Sequence, residues 1–425
     1  MRASEHVREA GPGTGRVPEI RELREDDDLD AELDLGERAF GLIDDGDRPG
    51  WLDNLRASVR TGRVLGVFDG SALIGTARFH DMRQWWHGRS LPMAGVAGVK
   101  IAPEERGRGV GKALVTRLLA VIAARGYPVS ALFPSTAPIY RSLGWEVAGG
   151  LYEMVLPARS LSPLLAPDSP LATPDAGRPE LPPAVRRAGP DDAAEVIAVT
   201  GRVHEAARDC GPNTRDVEAI RRWLGDRSVF TYLAPDGFLA YGWQSGNDEI
   251  MVRQASAGSA GTTRALWGIV ASHASMAKTV RAWLGPQDPI GWLTREPEAE
   301  VALREAWMLR VVDAPAAISA RGFPAAAALS VTLRLDDAAL PANSGLWKLE
   351  VSGGQGTLTP FETESGPQLP PAGPVRLGAR GFAALYAGTP LPTLRRAGLA
   401  ADGDPDADAA LDCAFAGTPF MADHF

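Results

Sequence analysis

The sequence predicts an α/β chain built from two copies of one α+β unit and a smaller α+β domain. Three observations carry this. Val96 to Ile122 reads as a buried strand, a glycine-dense turn and an amphipathic helix, in that order. Val185 to about Val312 weakly repeats the pattern of the region before Arg159. Arg159 to Pro183 is rich in Pro, Ala, Ser and Asp without hydrophobic periodicity, and reads as an extended linker between the copies. The implied boundaries are a disordered tail at 1–16, a first domain at 17–158, a linker at 159–184, a second domain at 185–312 and a third at 313–425.

Size and charge are compatible with that division. A chain of 425 residues accommodates two or three domains, and 45% hydrophobic with 23% charged residues is globular composition. The net charge of −9 disfavours nucleic acid as a partner and favours cationic ligands. Cys210 and Cys413 make neither a disulfide framework nor a zinc spacing, and the six histidines form no ligand cluster, so no metal is expected. Met1 to Arg24 lacks an apolar signal core, and no run approaches the ~18 apolar residues of a membrane span. The expectation is a cytoplasmic protein with no membrane partner.

Taken in order, Ile20 to Leu23 reads as a short strand, and Glu25 to Asp28 as the N-cap and first-turn acids of a helix running toward Phe40. Leu29, Leu33, Leu35 and Phe40 are its candidate core residues. Gly41 to Gly50 carries Asp44, Asp45 and Asp47, either as a solvated loop or as a wall that attracts an amine. Val64 to Phe79 is a hairpin turning at Asp69-Gly70. Trp85-Trp86 either packs in a core or lines a pocket. Val129 to Phe133 is a further buried strand, and Trp145 to Leu156 closes the first domain. In the second copy, Val185 to Asp192 matches Ile20 to Asp27, and Asp236-Gly237 turns a hairpin within Phe230 to Trp243. Beyond Phe323, short strands (Ala328 to Leu335, Gly345 to Val351, Gly356 to Thr359) precede helices near Ala379 to Tyr386, Pro392 to Leu399 and Asp406 to Phe415.

The turn Arg106-Gly107-Arg108-Gly109-Val110-Gly111-Lys112 is where chemistry enters. Glycines let backbone approach a ligand closely, and a helix N-terminus offers unpaired N–H groups and about half a positive charge. Arg106 and Arg108 add formal charge, so the site suits a phosphate or pyrophosphate. A Walker loop fails because Ala113 follows Gly111-Lys112, and the dinucleotide fingerprint fails on the spacing of Gly107, Gly109 and Gly111. The second copy has Gly258 and Gly261 at the matching place but no R-x-x-G-x-G.

R-x-x-G-x-G after V-x-I-x-P resembles the acyl-CoA loop of the GNAT N-acetyltransferases. Three stretches extend the likeness: V-A-G-V-K-I-A-P-E-E-R-G-R-G-V-G-K-A-L, G-Y-P-V-S-A-L-F-P-S-T-A-P-I-Y-R-S-L-G-W and L-D-C-A-F-A-G-T-P-F-M-A-D-H-F. With the Q-D-P at Gln287 to Pro289, the chain resembles the Eis (enhanced intracellular survival) family. That resemblance implies an active GNAT domain, a degenerate GNAT-like domain and a sterol-carrier-like C-terminal domain, assembled as a homo-hexamer. It implies acetyl-CoA as co-substrate, held by backbone at Val99, Lys100 and Ile101, by the loop Arg106, Gly107, Arg108, Gly109, Val110, Gly111 and Lys112, and near Ser135 and Thr136. It implies Tyr140 as the acid that protonates the departing CoA thiolate, and the terminal carboxylate of Phe425 as the base. The acceptor class implied is a primary amine of a cationic small molecule, aminoglycoside-like, or a lysine side chain, with Asp44, Asp45, Trp51 and His424 as candidate contacts. A carboxylate with a reference pKa of about 3.3–3.7 is ionised at neutral pH, and a phenol near 10 is not, so both groups begin in the required state. The rival readings are a non-catalytic acyl-CoA-binding regulator and a lipid carrier acting through the C-terminal domain.

Overall fold

A computed structural model describes residues 18–165, 184–294, 298–361 and 373–425. The tail at 1–16 and most of the expected linker lie outside the described residues. The first copy runs β1 (Glu19–Glu22), α1 (Leu29–Phe40), α2 (Arg48–Arg60), β2 (Val64–Asp69), β3 (Ala72–Trp86), β4 (Arg89–Ile101), α3 (Val110–Ala124), β5 (Val129–Leu132), α4 (Ala137–Arg141) and β6 (Glu146–Pro157). The second runs β7 (Arg186–Ala188), α5 (Ala193–Ala207), β8 (Cys210–Thr214), α6 (Val217–Leu224), β9 (Phe230–Ala234), β10 (Gly237–Gln244), β11 (Glu249–Ala257), α7 (Ala260–Ala271), β12 (Thr279–Leu284) and β13 (Glu300–Val311). The remainder is α8 (Ala314–Ala320), β14 (Leu329–Asp336), β15 (Gly345–Ser352), β16 (Gln355–Pro360), β17 (Val375–Gly378), α9 (Ala379–Tyr386), α10 (Leu391–Arg396), β18 (Ala400–Ala401) and α11 (Pro405–Phe415). No helix among the described residues is long and apolar enough to cross a membrane.

The chain forms two compact units, Met1–Arg78 with Gly98–Leu118, and Phe79–Ala97 with Leu119–Phe425. In the first, β1, β2 and the opening half of β3 make an antiparallel sheet, from Glu19↔Phe68 to Val64↔Arg78. Its core gathers Leu23, Leu55, Val59, Val64 and Phe68. Asp28 caps α1 by accepting from the N–H groups of Asp30 and Ala31, as the acids there suggest. Two details differ from expectation. Phe40 is exposed, because the last turn of α1 runs past the packed core before the chain turns at Gly41. The acidic stretch is not all loop: α2 begins at Arg48, with Pro49 in its first turn and Leu55 and Val59 buried one turn apart.

In the larger unit the sheet order is β4-β5-β13-β6-β12-β11-β10-β9-β7, and β8 pairs with the Arg83–Trp86 end of β3. β13, the last strand of the second copy, sits between β5 and β6 of the first. β6 in turn pairs with β12 of the second. Each copy is therefore closed by the other's last strand. A separate five-stranded sheet, β16-β15-β14-β17-β18, carries the C-terminal region.

Trp86 belongs to the core of this unit, edge-on to Tyr386 at 5.0 Å and to Trp307 at 6.2 Å. Trp85 is half-buried and donates its Nε1–H to Thr214 Oγ1 at 3.2 Å. The buried Arg321 lies over the rings of Trp86, Phe323, Tyr386 and Phe415, with Nη1 donating to the Tyr386 carbonyl at 2.5 Å. Among the described residues its charge lies over aromatic faces and has no acid paired with it.

A second buried cation, Arg310 on β13, donates through Nη2 to both oxygens of Asp337, at 2.7 and 2.6 Å. Asn343 donates to the same carboxylate at 3.0 Å and accepts from the Ala314 N–H at 2.9 Å, tying α8 into the network. Removing one partner of such a pair leaves the other buried and uncompensated. Asp337→Ala is therefore expected to destabilise the protein by about 3–5 kcal/mol in urea unfolding, whereas Asp336→Ala, at the exposed end of β14, should change it little.

Candidate active site

The first unit holds the anion-binding elements. Gly107 and Gly109 adopt φ of +77° and +82°, a backbone that only glycine takes without strain, and nothing lies within 4 Å of where a Cβ would stand. The chain turns there into α3. The first helical bond at this end is Ala113 N–H to the Gly109 carbonyl at 3.1 Å, so the N–H groups of Val110, Gly111 and Lys112 have no acceptor within the helix. Lys112 and Arg106 are exposed beside them. Arg108 is tied to Glu105 at 2.5 Å, which leaves Arg106 and Lys112 as the loop cations without an acidic partner among the described residues.

Val99, Lys100 and Ile101 end β4 just before the loop. The Lys100 side chain is committed elsewhere. It is buried, 2.6 Å from Glu32 Oε1 and 4.9 Å from the centre of the Trp51 indole. Thr76 Oγ1 donates to the same Glu32 oxygen at 3.2 Å. Burial pushes the Glu32 carboxyl up and the Lys100 amine down, while each partner opposes the other's shift. Of the expected acceptor contacts in this unit, Trp51 thus packs over Lys100. Asp45 is fully exposed, 4.0 Å from Arg48, and Asp44 is exposed with its carbonyl accepting from the Asp47 N–H.

The second unit holds the rest. Thr136 is the extended N-cap residue of α4, next to the exposed Ser135. Tyr140 is buried on that helix, edge-on to Trp145 at 6.1 Å. Burial pushes its phenol up to about 12, so it is a protonated donor throughout the physiological range.

The chain's last residues are pinned within the same unit. Pro419 to Met421 run beside β6: Met421 N–H donates to the Gly150 carbonyl at 3.0 Å, and Phe420 N–H to the Cys210 carbonyl at 3.0 Å. Gly149 and Gly211 allow this passage, since a Cβ at Gly149 would collide with Pro419 O and one at Gly211 would lie 2.6 Å from Phe420 O. Arg215 then grips Asp423 through two bonds, at 2.6 and 2.9 Å, and donates to the His424 carbonyl at 2.7 Å. Asn213 donates to the Asp423 carbonyl at 3.2 Å. The His424 ring stacks on Phe133 at 4.4 Å, with Nε2 3.3 Å from Glu305 Oε2. The Phe425 ring lies edge-on to Phe133 at 5.7 Å and to His80 at 6.5 Å, and covers Gly95.

Arg215, Asn213 and Gly211 are the residues that sequence reasoning missed. The only signal was an acid two places before Phe425, and its arginine is 208 positions away. Among the described residues no group of three His, Cys, Asp or Glu is arranged to hold a metal.

Comparison with known proteins points one way. Residues 19–148 and 211–311 match two family models, each described as an acetyltransferase (GNAT) domain, and residues 314–422 match a sterol carrier protein domain. The chain is 27% identical over 312 residues to the N-acetyltransferase Eis of Mycobacterium tuberculosis, covering 70% of this chain and 73% of that protein. A crystal structure of a GCN5-related N-acetyltransferase from Kribbella flavida superposes with a TM-score of 0.86 at 43% identity, over 96% of this chain and 98% of its own. Eis1 from Mycobacterium abscessus superposes with a TM-score of 0.74 at 25% identity, over 96% and 100%.

Because Arg215 supplies three of the bonds on the last residues, Arg215→Ala should loosen them. A charge-assisted pair contributes roughly 1.5–3 kcal/mol, which converts to a rise of about tenfold or more in the released population. The rate at which carboxypeptidase removes Phe425 is the readout, and a rate equal to wild type would assign the hold to the backbone bonds alone.

Proposed function

The chain belongs to the Eis-type GNAT N-acetyltransferases, and from that premise we propose that it moves acetyl from acetyl-CoA to a primary amine of a cationic small molecule, aminoglycosides included, or of a lysine side chain. The glycine loop and the N-terminus of α3 hold the pyrophosphate, with Arg106 and Lys112 as its counter-charges. Backbone at Val99 to Ile101 carries the pantetheine arm, and Ser135 and Thr136 stand near it. In the base role that the family resemblance implies, the α-carboxylate of Phe425 takes a proton from the acceptor ammonium. The freed amine lone pair attacks the thioester carbon, the C–S bond breaks, and the Tyr140 hydroxyl donates its proton to the leaving thiolate.

The observation that carries this reading is the state of Tyr140. A phenol raised to about 12 cannot serve as a base near neutrality, and it is fully protonated when the thiolate forms. The same burial that raises the phenol also raises the basicity of a thiolate beside it, so proton donation remains matched. The anchored end of the chain adds a second support, since a base must be held within reach of its proton. We further propose that the protein works in the cytoplasm, where its co-substrate is made, and assembles as a homo-hexamer, a state that sedimentation velocity would contradict by finding a stable monomer at micromolar concentration.

The test is thiol release from acetyl-CoA against a panel of amines. Tyr140→Phe is expected to lower kcat by about 10²–10⁴-fold with little change in KM for acetyl-CoA, and removal of Phe425 to cost a comparable factor. With the phenol so high, wild-type kcat should stay level from about pH 8 to about pH 10 and fall only on the acid side, where the base takes up a proton. A basic limb centred near pH 9 that persists in Tyr140→Phe would assign the acid role to another group, whereas one that vanishes in that variant would keep the tyrosine as the acid and overturn its raised pKa. Tight acetyl-CoA binding without turnover on any amine would favour a regulator.

A further inference from the structure

The second copy has a cleft of its own. In the first copy β4 and β5 pair in parallel only from Met93↔Val129 to Gly95↔Ala131. In the second, β11 and β12 pair in parallel only from Glu249↔Thr279 to Val252↔Ala282. The residues that follow on the two strands, Gln254 to Ala257 and Leu284 to Pro289, line a cavity of about 640 Å³ inside the larger unit. Its volume is that of a small-molecule site.

This cleft does not suit a coenzyme A. At the N-terminus of α7 the cap is Ser259, and Asp236 stands where a phosphate would bind. Its carboxylate accepts from the Thr262 hydroxyl, and its carbonyl from the Gly258 N–H at 2.7 Å. A fixed negative charge there repels pyrophosphate.

The cavity wall instead presents acids. Asp423 is neutralised by Arg215, and Asp209 lies 2.7 Å from His204 Nδ1. Asp288, the acid of the Q-D-P motif, has no cation among the described residues beside it. Its Oδ1 accepts only the Ile290 N–H, at 2.9 Å. Burial pushes this carboxyl up to about 6, and the charge of Asp209 adds to the shift. His87 also lines the cavity. Among the described residues its Nε2 is buried without a hydrogen-bond partner, and burial, with the charges of Arg321 and Arg208, pushes the imidazole pKa down. Val203, Phe238, Leu284 and Phe420 supply apolar wall.

We propose that this cavity is a second binding site, distinct from the acetyl-transfer site, for a small organic ammonium ion with an apolar body. The ammonium N–H groups bond to Asp288, and the body packs on Leu284 and Phe420. Because Phe420 and Asp423 form part of the wall, an occupant rests against the segment that carries Phe425.

The experiment is isothermal titration of the full chain, without acetyl-CoA, using 2-phenylethylamine and its neutral analogue 2-phenylethanol. Saturable binding of the amine at least tenfold tighter than the alcohol is expected. Asp288→Asn keeps an oxygen to accept from Ile290 and removes only the charge, so it should fold and bind at least tenfold more weakly. Ala255→Trp fills the cavity and should abolish binding. Equal affinity for amine and alcohol, undiminished binding in both variants, or no binding of the amine at about 10 mM would each overturn the proposal. None of these outcomes depends on turnover, so a failure here is separable from a failure of the acetyltransferase mechanism.

Discussion

β13 is the last strand of the second copy, yet it pairs along one edge with β5 and along the other with β6, both from the first copy. A strand edge left without a partner exposes backbone groups, and β13 satisfies the outer edge of β5 in place of β6, the first copy's own next strand. The second copy cannot then be lost without exposing that edge. This gives a physical reason for the chain to keep a domain whose phosphate loop has gone. It keeps a strand, and the strand needs a fold to hold it. The buried Arg310 on β13 extends the dependence to the third domain through Asp337, so the three parts of the chain share one sheet-centred support.

The same exchange prepares the path of the chain's last residues. The ladder between β6 and β13 slips register at Trp307/Met308, opposite Gly149 and the preceding Val147. A slip of this kind bends the strand and frees backbone groups. Gly150 uses its freed carbonyl to accept from Met421, and the missing side chains at Gly149 and Gly211 give Pro419 and Phe420 room. A terminal segment without such partners would fray. Here two aromatic packings, an arginine fork and a short run of backbone bonds restrain it, and the restraint comes from β6, β8 and β13 at once.

The parts of the fold that were legible in sequence are those with local signals. The glycine spacing and the Val96 to Ile122 pattern located α3 and its open N-terminus. Asp69-Gly70 and Asp236-Gly237 located both hairpins, and the weak repeat located the second copy. α2 was missed because Asp44 to Asp47 dominated the composition just before it, although Leu55 and Val59 carry helical spacing. The strand exchange left no trace in sequence, because β13 reads equally well as the closing strand of its own copy. The grip of Arg215 on Asp423 was invisible for the same reason: both residues look like solvated charges until the fold brings them together. Lys100 misled in a different way. Its backbone lies at the end of β4 as expected, but its side chain turns inward to Glu32, and nothing local marks a lysine as buried.

The two copies show how one scaffold serves different chemistry once a few residues change at a helix terminus. Both present a parallel strand pair that splays, followed by a helix whose first turn faces the opening. In the first copy that turn is Gly109-Val110-Gly111-Lys112, with open N–H groups and exposed cations. In the second it is Ser259-Ala260-Gly261-Thr262, where Ser259 takes the Thr262 N–H and Asp236 takes its hydroxyl. An N-terminus partly satisfied by its own chain has less demand for an anion, and the added carboxylate opposes the sign of the local field. The splay, which depends on strand geometry and not on the loop, persists as a cavity. Loss of a cofactor site in this architecture is therefore a loss of the phosphate anchor, while the cleft beyond it stays open to ligands of the opposite charge.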